Sequence, residues 1–464
     1  LELSSVVVEI EMNPRIDCPT NGRYNSFKRM LCVPVRAWTL LVLTLPALVL
    51  PALALPALIL LAFANHSLAA ELTIEEASEI AINNDYTLKA IGARQNSMSE
   101  MAIASEQLPD PQLRVGFANL PSDTFNLGQE PMTQTMIGVR QAFPRGSTRS
   151  LTRTGIESSI ERSEAEAADR KYQMLLNVRE EYTRIYLYQE RQRILRQSQD
   201  VFADLAEITR DYYATGRAYQ QDVVQAQLEV TKVEERLAKL QQMEQQARAR
   251  LSELIGADAY RPLMPDWPQV AQPAPAQEII TDLPQHPKMQ AWQHLISKSK
   301  TSEDIARQAY KPGFAVDLAY GGRGGQNPNG SNRSDLFSVM LSMDVPLFTK
   351  NRQDRVLASS IADTSATEFA RDDIYRSMKA RVEENAATLE REQQRLELYQ
   401  QQLLPQAAYN AEAAFEAYQN AVADLTTLMR ARIGEYELKL SHADLRAEEI
   451  ITRARLLYFQ GEPS

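Results

Sequence analysis

Residues 201–232 read VFADLAEITRDYYATGRAYQQDVVQAQLEVTK. They form the turning point of a stretch, Arg149 to Gly256, that decides the fold. Before the turn, from Leu151 to about Tyr212, there is no proline and one glycine, Gly155. Ala, Gln, Glu, Arg and Leu dominate there, and all are good helix formers. Roughly 60 residues at 1.5 Å each make a helix on the order of 90 Å, far longer than a globular core requires. The tip runs from Tyr213 to Asp222 with Gly216 inside it, and helix formers resume through Leu254. The stretch reads as one long helix, a brief tip and a second helix coming back.

The same design returns about 205 residues later. Tyr213, Gly216, Asp222, Val223 and Ala226 have counterparts in Tyr418, Ala421, Thr427, Leu428 and Ala431. A proline-free run from Arg352 to Leu404 precedes the second tip, and helix formers follow it to Leu457. Two long hairpins at a fixed offset mark a duplication. Between the halves, Pro262 to Pro275 is a proline-rich linker.

Each half opens with a shorter helical run and then changes period. Glu71 to Gln107 reads as helix, with Thr73 as N-cap and Glu76 completing a capping box; Pro109 and Pro111 end it. In 111–120, Leu113, Val115 and Phe117 then face one way, and Gln112, Arg114, Gly116 and Ala118 the other. After a polar loop, Thr135, Ile137, Val139 and Phe143 share one face, backed by Gln134, Met136, Gly138 and Arg140. The second half repeats this near an offset of 201. There Phe314, Val316, Leu318 and Tyr320 back onto Ala315, Asp317 and Ala319; Phe337, Val339, Leu341 and Met343 back onto Ser338, Met340, Ser342 and Asp344. Strands of about ten residues, apolar on one face and polar on the other, signal a membrane β-barrel. A barrel leaves no edge unpaired in lipid, and the smallest need about eight strands. This chain supplies two pairs, so several copies must each contribute a sheet.

The first 70 residues stand apart. A basic segment (Arg15, Arg23, Lys28, Arg29, Arg36) precedes an apolar run from Ala37 to Ala64, followed by Ser67-Leu68-Ala69 as a small-x-small site. That order reads as a secretory signal. The run is long enough to span a bilayer, so an uncleaved anchor is the alternative, but three prolines at five-residue spacing oppose a stable spanning helix. The expected start is Met30, and the expected mature N-terminus lies near Ala70. Both cysteines, Cys18 and Cys32, fall in the leader, so the mature chain is expected to have no disulfide, thiolate or lipid anchor. Five basic and four acidic side chains precede Glu71, so the whole-chain charge of −10 becomes −11. Such acidity argues against nucleic acid as a partner.

Candidate chemistry is sparse. His286 and His294 are eight apart, too far along a helix to share one small ion, and with His442 they read as packing or surface residues. Met132, Met136, Met340 and Met343 could suggest soft-metal handling, but adaptable filling is the favoured reading. The Gly321–Gly325 run follows a strand without opening a helix, so it lacks the geometry of a phosphate cradle. No nucleophile elbow, zinc-peptidase helix or thiol cluster points to an enzyme; no cofactor, catalytic residue or metal site is expected. One charge pattern asks for explanation. Arg145, Arg149 and Arg153, and again Lys350, Arg352 and Arg355, sit where long helices begin, an end that the macrodipole makes unfavourable for cations. Lipid headgroups or a neighbour's carboxylates are the two expected sources of compensation.

The order and spacing of all these features, from Leu72 to Gly461, resemble the TolC-type outer-membrane efflux family. The resemblance is carried by the repeat, the strand pairs entered by Pro111 and Pro312, and the tip pattern at Tyr213, Gly216, Asp222 and Val223. It implies a mainly α chain with a β-barrel segment: a trimeric outer-membrane barrel continued by a long periplasmic α-helical barrel. Leu113, Val115, Phe117, Ile137, Val139, Val316, Leu318, Val339 and Leu341 would face lipid. The tips (Tyr213, Gly216, Asp222, Tyr418, Ala421, Thr427, Arg430) would form the aperture and dock a periplasmic adaptor, the membrane fusion protein. An inner-membrane pump of the RND type or similar would complete the assembly. Residues 130–134 and 141–146 resemble the heavy-metal and cation efflux subclass. The expected organisation is a leader (1–70), a first repeat (71–261), a linker (262–280) and a second repeat (281–464). The expected function is a passive exit duct of a tripartite efflux system. Type I protein secretion and a periplasmic coiled-coil adaptor are the alternatives. At the second tip the family pattern has Gly, Arg, Asp and Asp where this chain has Ala421, Ala423, Thr427 and Arg430, which puts the usual ionic gate in doubt.

Overall fold

The structure is a computed structural model that describes residues 71–461; the expectations about the leader and its cysteines fall outside the described residues. The first half runs through α1 (Ile74–Asn84), α2 (Tyr86–Ser105), β1 (Gln112–Ala118), β2 (Gln134–Phe143), α3 (Thr148–Ala214) and α4 (Gln220–Ile255). The second half follows with α5 (Ala276–Asp282), α6 (Pro287–Gln308), β3 (Gly313–Gly322), β4 (Leu336–Asp344), α7 (Gln353–Leu398), α8 (Leu404–Gln419) and α9 (Leu425–Gln460). α3 covers 67 residues, ~100 Å of helix. Every boundary of the second hairpin lies 205 residues after its counterpart in the first. The duplication therefore holds to the residue in the hairpins.

The helix expected over Glu71–Gln107 is two helices. Asp85 leaves the helical region (φ −64°, ψ 113°), and its Oδ1 accepts the Leu88 N–H at 2.6 Å, the competition that makes Asp a capping residue rather than an interior one. Arg170 of α3 holds the other carboxylate oxygen at 2.8 Å. Burial raises the Asp85 pKa, but these partners outweigh it and leave the carboxyl below its usual range. The second half breaks at the equivalent place, with His286 as the N-cap of α6 and Pro287 at its first turn. Thr73 caps α1 as expected, accepting from the Glu76 N–H at 3.1 Å. Glu76 does not close the capping box; its carboxylate goes to Arg261 at 2.7 Å.

Two further departures come from proline. α5 begins at Ala276, directly after Pro275 and inside the stretch read as linker. The descending helix of the second hairpin carries a π turn, Tyr399–Leu403, ahead of Pro405. Proline has no N–H and its ring crowds the carbonyl four residues back, and a wider turn at that point relieves both. The extended segment between the halves is pinned rather than loose. Leu72 bridges Leu263, Tyr182 Oη donates to the Leu72 carbonyl at 2.7 Å, and Tyr186 Oη to that of Pro265 at 2.6 Å. Trp267 packs against Tyr186 with its ring tilted and 4.7 Å between centroids.

The core is drawn out along the helices in three clusters. Towards the tips, Phe202 and Leu205 of α3, Val233 and Leu240 of α4, and Leu428 and Tyr436 of α9 bind the two hairpins together. In mid-body, Val178, Tyr182, Ile185, Leu251 and Ile255 close over Leu72 and α1. A third cluster joins Ile279 and Leu283 to Met378, Val382 and Leu456. Each such side chain, fully buried, contributes about 1.5–3 kcal/mol.

The four strands form one antiparallel sheet in the order β1-β2-β3-β4. The chain leaves it after β2 for the whole first hairpin and returns at β3.

Candidate functional site

The sheet register builds two chemically distinct walls. Leu113 lies opposite Val139, and Val115 opposite Ile137. Val139 faces Leu318, and Ile137 faces Tyr320; Leu318 then faces Val339, and Val316 faces Leu341. Since opposite residues share a face, the nine residues expected to meet lipid lie on one surface, joined there by Phe314, Phe337 and Met343. Most stand well exposed, Val115 at 70 %. No described helix is long and apolar enough to cross a membrane. The sheet is the element here whose apolar surface calls for lipid. Within one copy β1 and β4 are open edges, and edges in a hydrocarbon layer must be paired.

The opposite wall is mostly small and polar, with Met136, Met340 and Leu336 among its residues, and it carries an ion cluster spanning three strands. Asp317 of β3 is 9 % exposed. Its Oδ1 lies 3.1 Å from Arg114 Nη1 of β1, and its Oδ2 3.9 Å from Arg140 Nε of β2. Arg140 is its register partner. Arg114 reaches across β2 because Gly138, opposite it in register, puts no side chain in the way. Sequence periodicity places all three on the polar face but does not show that they meet.

The two tips share one backbone. At the first, Gly216 N–H donates to the Tyr213 carbonyl and Arg217 N–H to that of Tyr212; at the second, Ala421 N–H donates to Tyr418 and Val422 N–H to Ala417. Gly216 and Ala421 both sit in the left-handed region, with φ of 75° and 56°. The helices that leave the tips are capped from opposite ends of the same motif. Asp222 reaches back to the Tyr219 N–H at 2.9 Å, whereas Asp424 accepts forward from the Thr427 N–H at 2.8 Å. Hydrogen bonds from Thr427, helped by the charge of Arg430, hold the Asp424 pKa low. The paired tyrosines diverge: Tyr213 is exposed, while Tyr418 is buried. Tyr418 lies against Tyr212, 5.6 Å between centroids. Leu425 and Leu428 are buried beside it. Arg432 is held by Glu412 and Glu435, both at 3.2 Å, so it is not available to Asp222 or Asp424. Arg430 is exposed and makes no ion pair within 4.0 Å among the described residues.

The basic groups at the starts of the long helices need a correction. Arg149 donates to the Glu106 carbonyl at 2.9 Å, Arg145 to that of Ala309 at 3.0 Å, and Arg153 pairs with Glu157 at 2.8 Å and with Glu106. Glu106 and Ala309 are the C-caps of α2 and α6. The carbonyl ends of two antiparallel neighbours compensate Arg145 and Arg149, and carboxylates within the same chain compensate Arg153. Lys350, Arg352 and Arg355 meet no such helix end among the described residues and stay exposed.

His286 is buried, its Nδ1 accepting the Lys288 N–H at 3.2 Å and its Nε2 standing 2.9 Å from the Tyr458 carbonyl. This bonding suits the neutral tautomer with hydrogen on Nε2. His294 Nδ1 lies 2.9 Å from Glu161, and His442 packs near Tyr399. Among the described residues no group of three metal-ligating side chains converges. At the far end of the sheet, Arg333 ties the two inter-strand loops, its Nη1 reaching the carbonyls of Gly128 (3.1 Å), Glu130 (2.9 Å) and Gly324 (3.1 Å).

A family described as outer membrane efflux protein matches residues 78–257 and again 282–461. The cobalt-zinc-cadmium resistance protein CzcC of Cupriavidus metallidurans is 24 % identical over 374 residues, covering 79 % of this chain and 86 % of that protein. Among solved structures, CusC superposes with a TM-score of 0.71 at 14 % identity, covering 85 % of this chain and 94 % of CusC. The outer membrane protein VceC of Vibrio cholerae gives 0.69 at 14 % identity, covering 84 % and 96 %.

Proposed function

The chain belongs to the outer membrane efflux protein family, and from that premise we propose that it is the exit duct of a tripartite efflux system. Three copies close their sheets edge to edge, β4 of one against β1 of the next, into a single barrel. The hairpins then continue the lumen as a tunnel through the periplasm. The observation that carries this reading is the sheet itself: apolar on one face but for Thr135 and Gln141, mostly small and polar on the other, open at both edges. A closed barrel with a water-filled lumen needs about three such sheets.

The duct is passive and carries no catalytic chemistry; an inner-membrane pump of the RND type or similar supplies the work, through a periplasmic adaptor that docks on the tips around Tyr213, Gly216 and Ala421. The first repeat spans 71–261, and the second opens with α5 at Ala276. Likeness to CzcC, whose name is that of a cobalt-zinc-cadmium resistance protein, supports heavy-metal cations as cargo. Native mass measurement or cross-linking of protein extracted from outer membranes should report a trimer. A stable, membrane-inserted monomer would refute the architecture.

A further inference from the structure

Charge is rare on the strands. Their only ionised side chains are Arg114, Arg140, Asp317 and Asp344. Asp344, at the helix end of β4, has Arg145 3.6 Å away to offset it. That leaves the cluster in the helix-side half of the sheet, where one buried carboxylate faces two guanidiniums. Arg114 and Arg140 keep 51 % and 35 % of their side chains exposed, so the surplus positive charge is presented to the polar wall and not neutralised within it. The rest of that wall is Gln, Gly, Ala, Ser, Met and one Leu, which supply no counter-charge.

We propose that Arg114, Arg140 and Asp317 form a cationic collar that sets the ion selectivity of the barrel. The collar rests on the duct reading, because closing the sheets is what turns the polar wall inward and repeats the cluster around one lumen. Fixed charges lining a pore select for ions of opposite sign. The collar draws in chloride and anionic complexes, leaves neutral complexes without a charge barrier, and raises the barrier to bare divalent cations in either direction. A cation cargo then crosses this level against the collar's charge, and the acidic helices below, in a chain of net charge −10, act in the opposite sense. Asp317 is a positioning residue here: it holds the two guanidiniums side by side and subtracts one unit from their charge.

The test is the permeability ratio of potassium to chloride, from reversal potentials of full-length protein in planar bilayers under a KCl gradient. Arg114→Gln removes the more exposed charge and leaves Arg140 with its register partner Asp317, so no buried carboxylate is orphaned. It should raise the ratio by roughly twofold or more, the factor for one unit charge ~10 Å from a permeating ion in water. Asp317→Asn should move it the opposite way. Both differences should collapse near 1 M salt, where screening acts over about 3 Å. Trimer levels in the outer membrane establish that each variant is assembled. Conducting steps whose selectivity neither substitution moves, or a shift undiminished in high salt, would overturn the collar alone. Wild-type protein that gives no conducting steps would overturn the duct reading, and the collar with it.

Discussion

Gly216→Trp separates the two things a glycine at a tip can be for. Gly216 has φ of +75°, and an L side chain there costs about 1–2 kcal/mol. An added Cβ meets no atom within 4 Å, so no clash within the chain adds to that figure. The second tip shows that the geometry is tolerable: Ala421 holds φ of 56° with the same turn hydrogen bonds. Gly216→Ala and Gly216→Trp therefore carry about the same backbone strain and differ in bulk. That strain is small beside a tip-side core that buries Leu205, Leu240 and Leu428, where removing one leucine alone costs about 2–5 kcal/mol. Both variants should reach the outer membrane as trimers at wild-type level. Gly216→Ala should keep most export and Gly216→Trp abolish it, because an indole at the tip holds the adaptor away. The readout is metal or drug susceptibility of a strain lacking the native channel, beside trimer levels in isolated outer membranes. Equal loss in both variants would assign the effect to the backbone. Loss of trimer with export would make Gly216 a folding residue. Full export with Gly216→Trp would show that the tip is not the docking surface.

Arg430→Ala should change single-channel open probability by less than roughly fivefold, as for an exposed charge without a close partner, since the packing of Tyr418, Leu425 and Leu428 is untouched; a large jump would reveal a charge latch between copies. His286 gives a pH dependence. Burial is the main cause that pushes its pKa below the usual histidine range, against the backbone bond to Tyr458 and the charge of Asp169, with Lys288 acting alongside burial. The unfolded chain then binds the proton first, so the contribution of His286 is complete above the ordinary histidine pKa and is lost as pH falls towards the depressed one. His286→Asn keeps a capping acceptor for α6 but cannot titrate. The fall in thermal midpoint between pH 7 and pH 5 should be smaller in this variant than in the wild type, and identical slopes would remove His286 from the account.

Period and propensity made the hairpins and the two-faced strands legible, because both are local signals that survive in any context. The 205-residue offset of Tyr213 and Tyr418 even places the helix ends correctly. What stayed hidden depends on which element lies alongside. The helical run over 71–107 is rich in helix formers apart from Asn83-Asn84-Asp85 and Gly92, yet where it breaks is fixed at Asp85 by Arg170, 85 positions away. The same holds for Glu76, drawn from its local capping role by Arg261. The second half did offer a clue: His286-Pro287 at the equivalent position is a helix-start signature, and the duplication carries it back to Asp85.

The tips and the strand ends show why charge is the least readable layer of such a chain. Asp222 and Asp424 occupy different positions of one capping motif, and each satisfies a helix start. A family pattern of acidic positions at the second tip can thus be lost while an acidic cap remains three residues earlier. Arg145 and Arg149 look misplaced on their own helix and are well placed against the ends of α2 and α6. Arg114 and Arg140 look like two independent polar-face residues until the register brings both to Asp317. In each case the helix or strand supplies only a position, and the sign of the charge there is set by a neighbour brought in from elsewhere in the chain. Selectivity and gating can therefore diverge between relatives at about 14 % identity while the walls and hairpins stay superposable. Lipid asks of the outer face only that it be apolar, but the collar needs Arg114, Gly138 with Arg140, and Asp317 to fall on three adjacent strands.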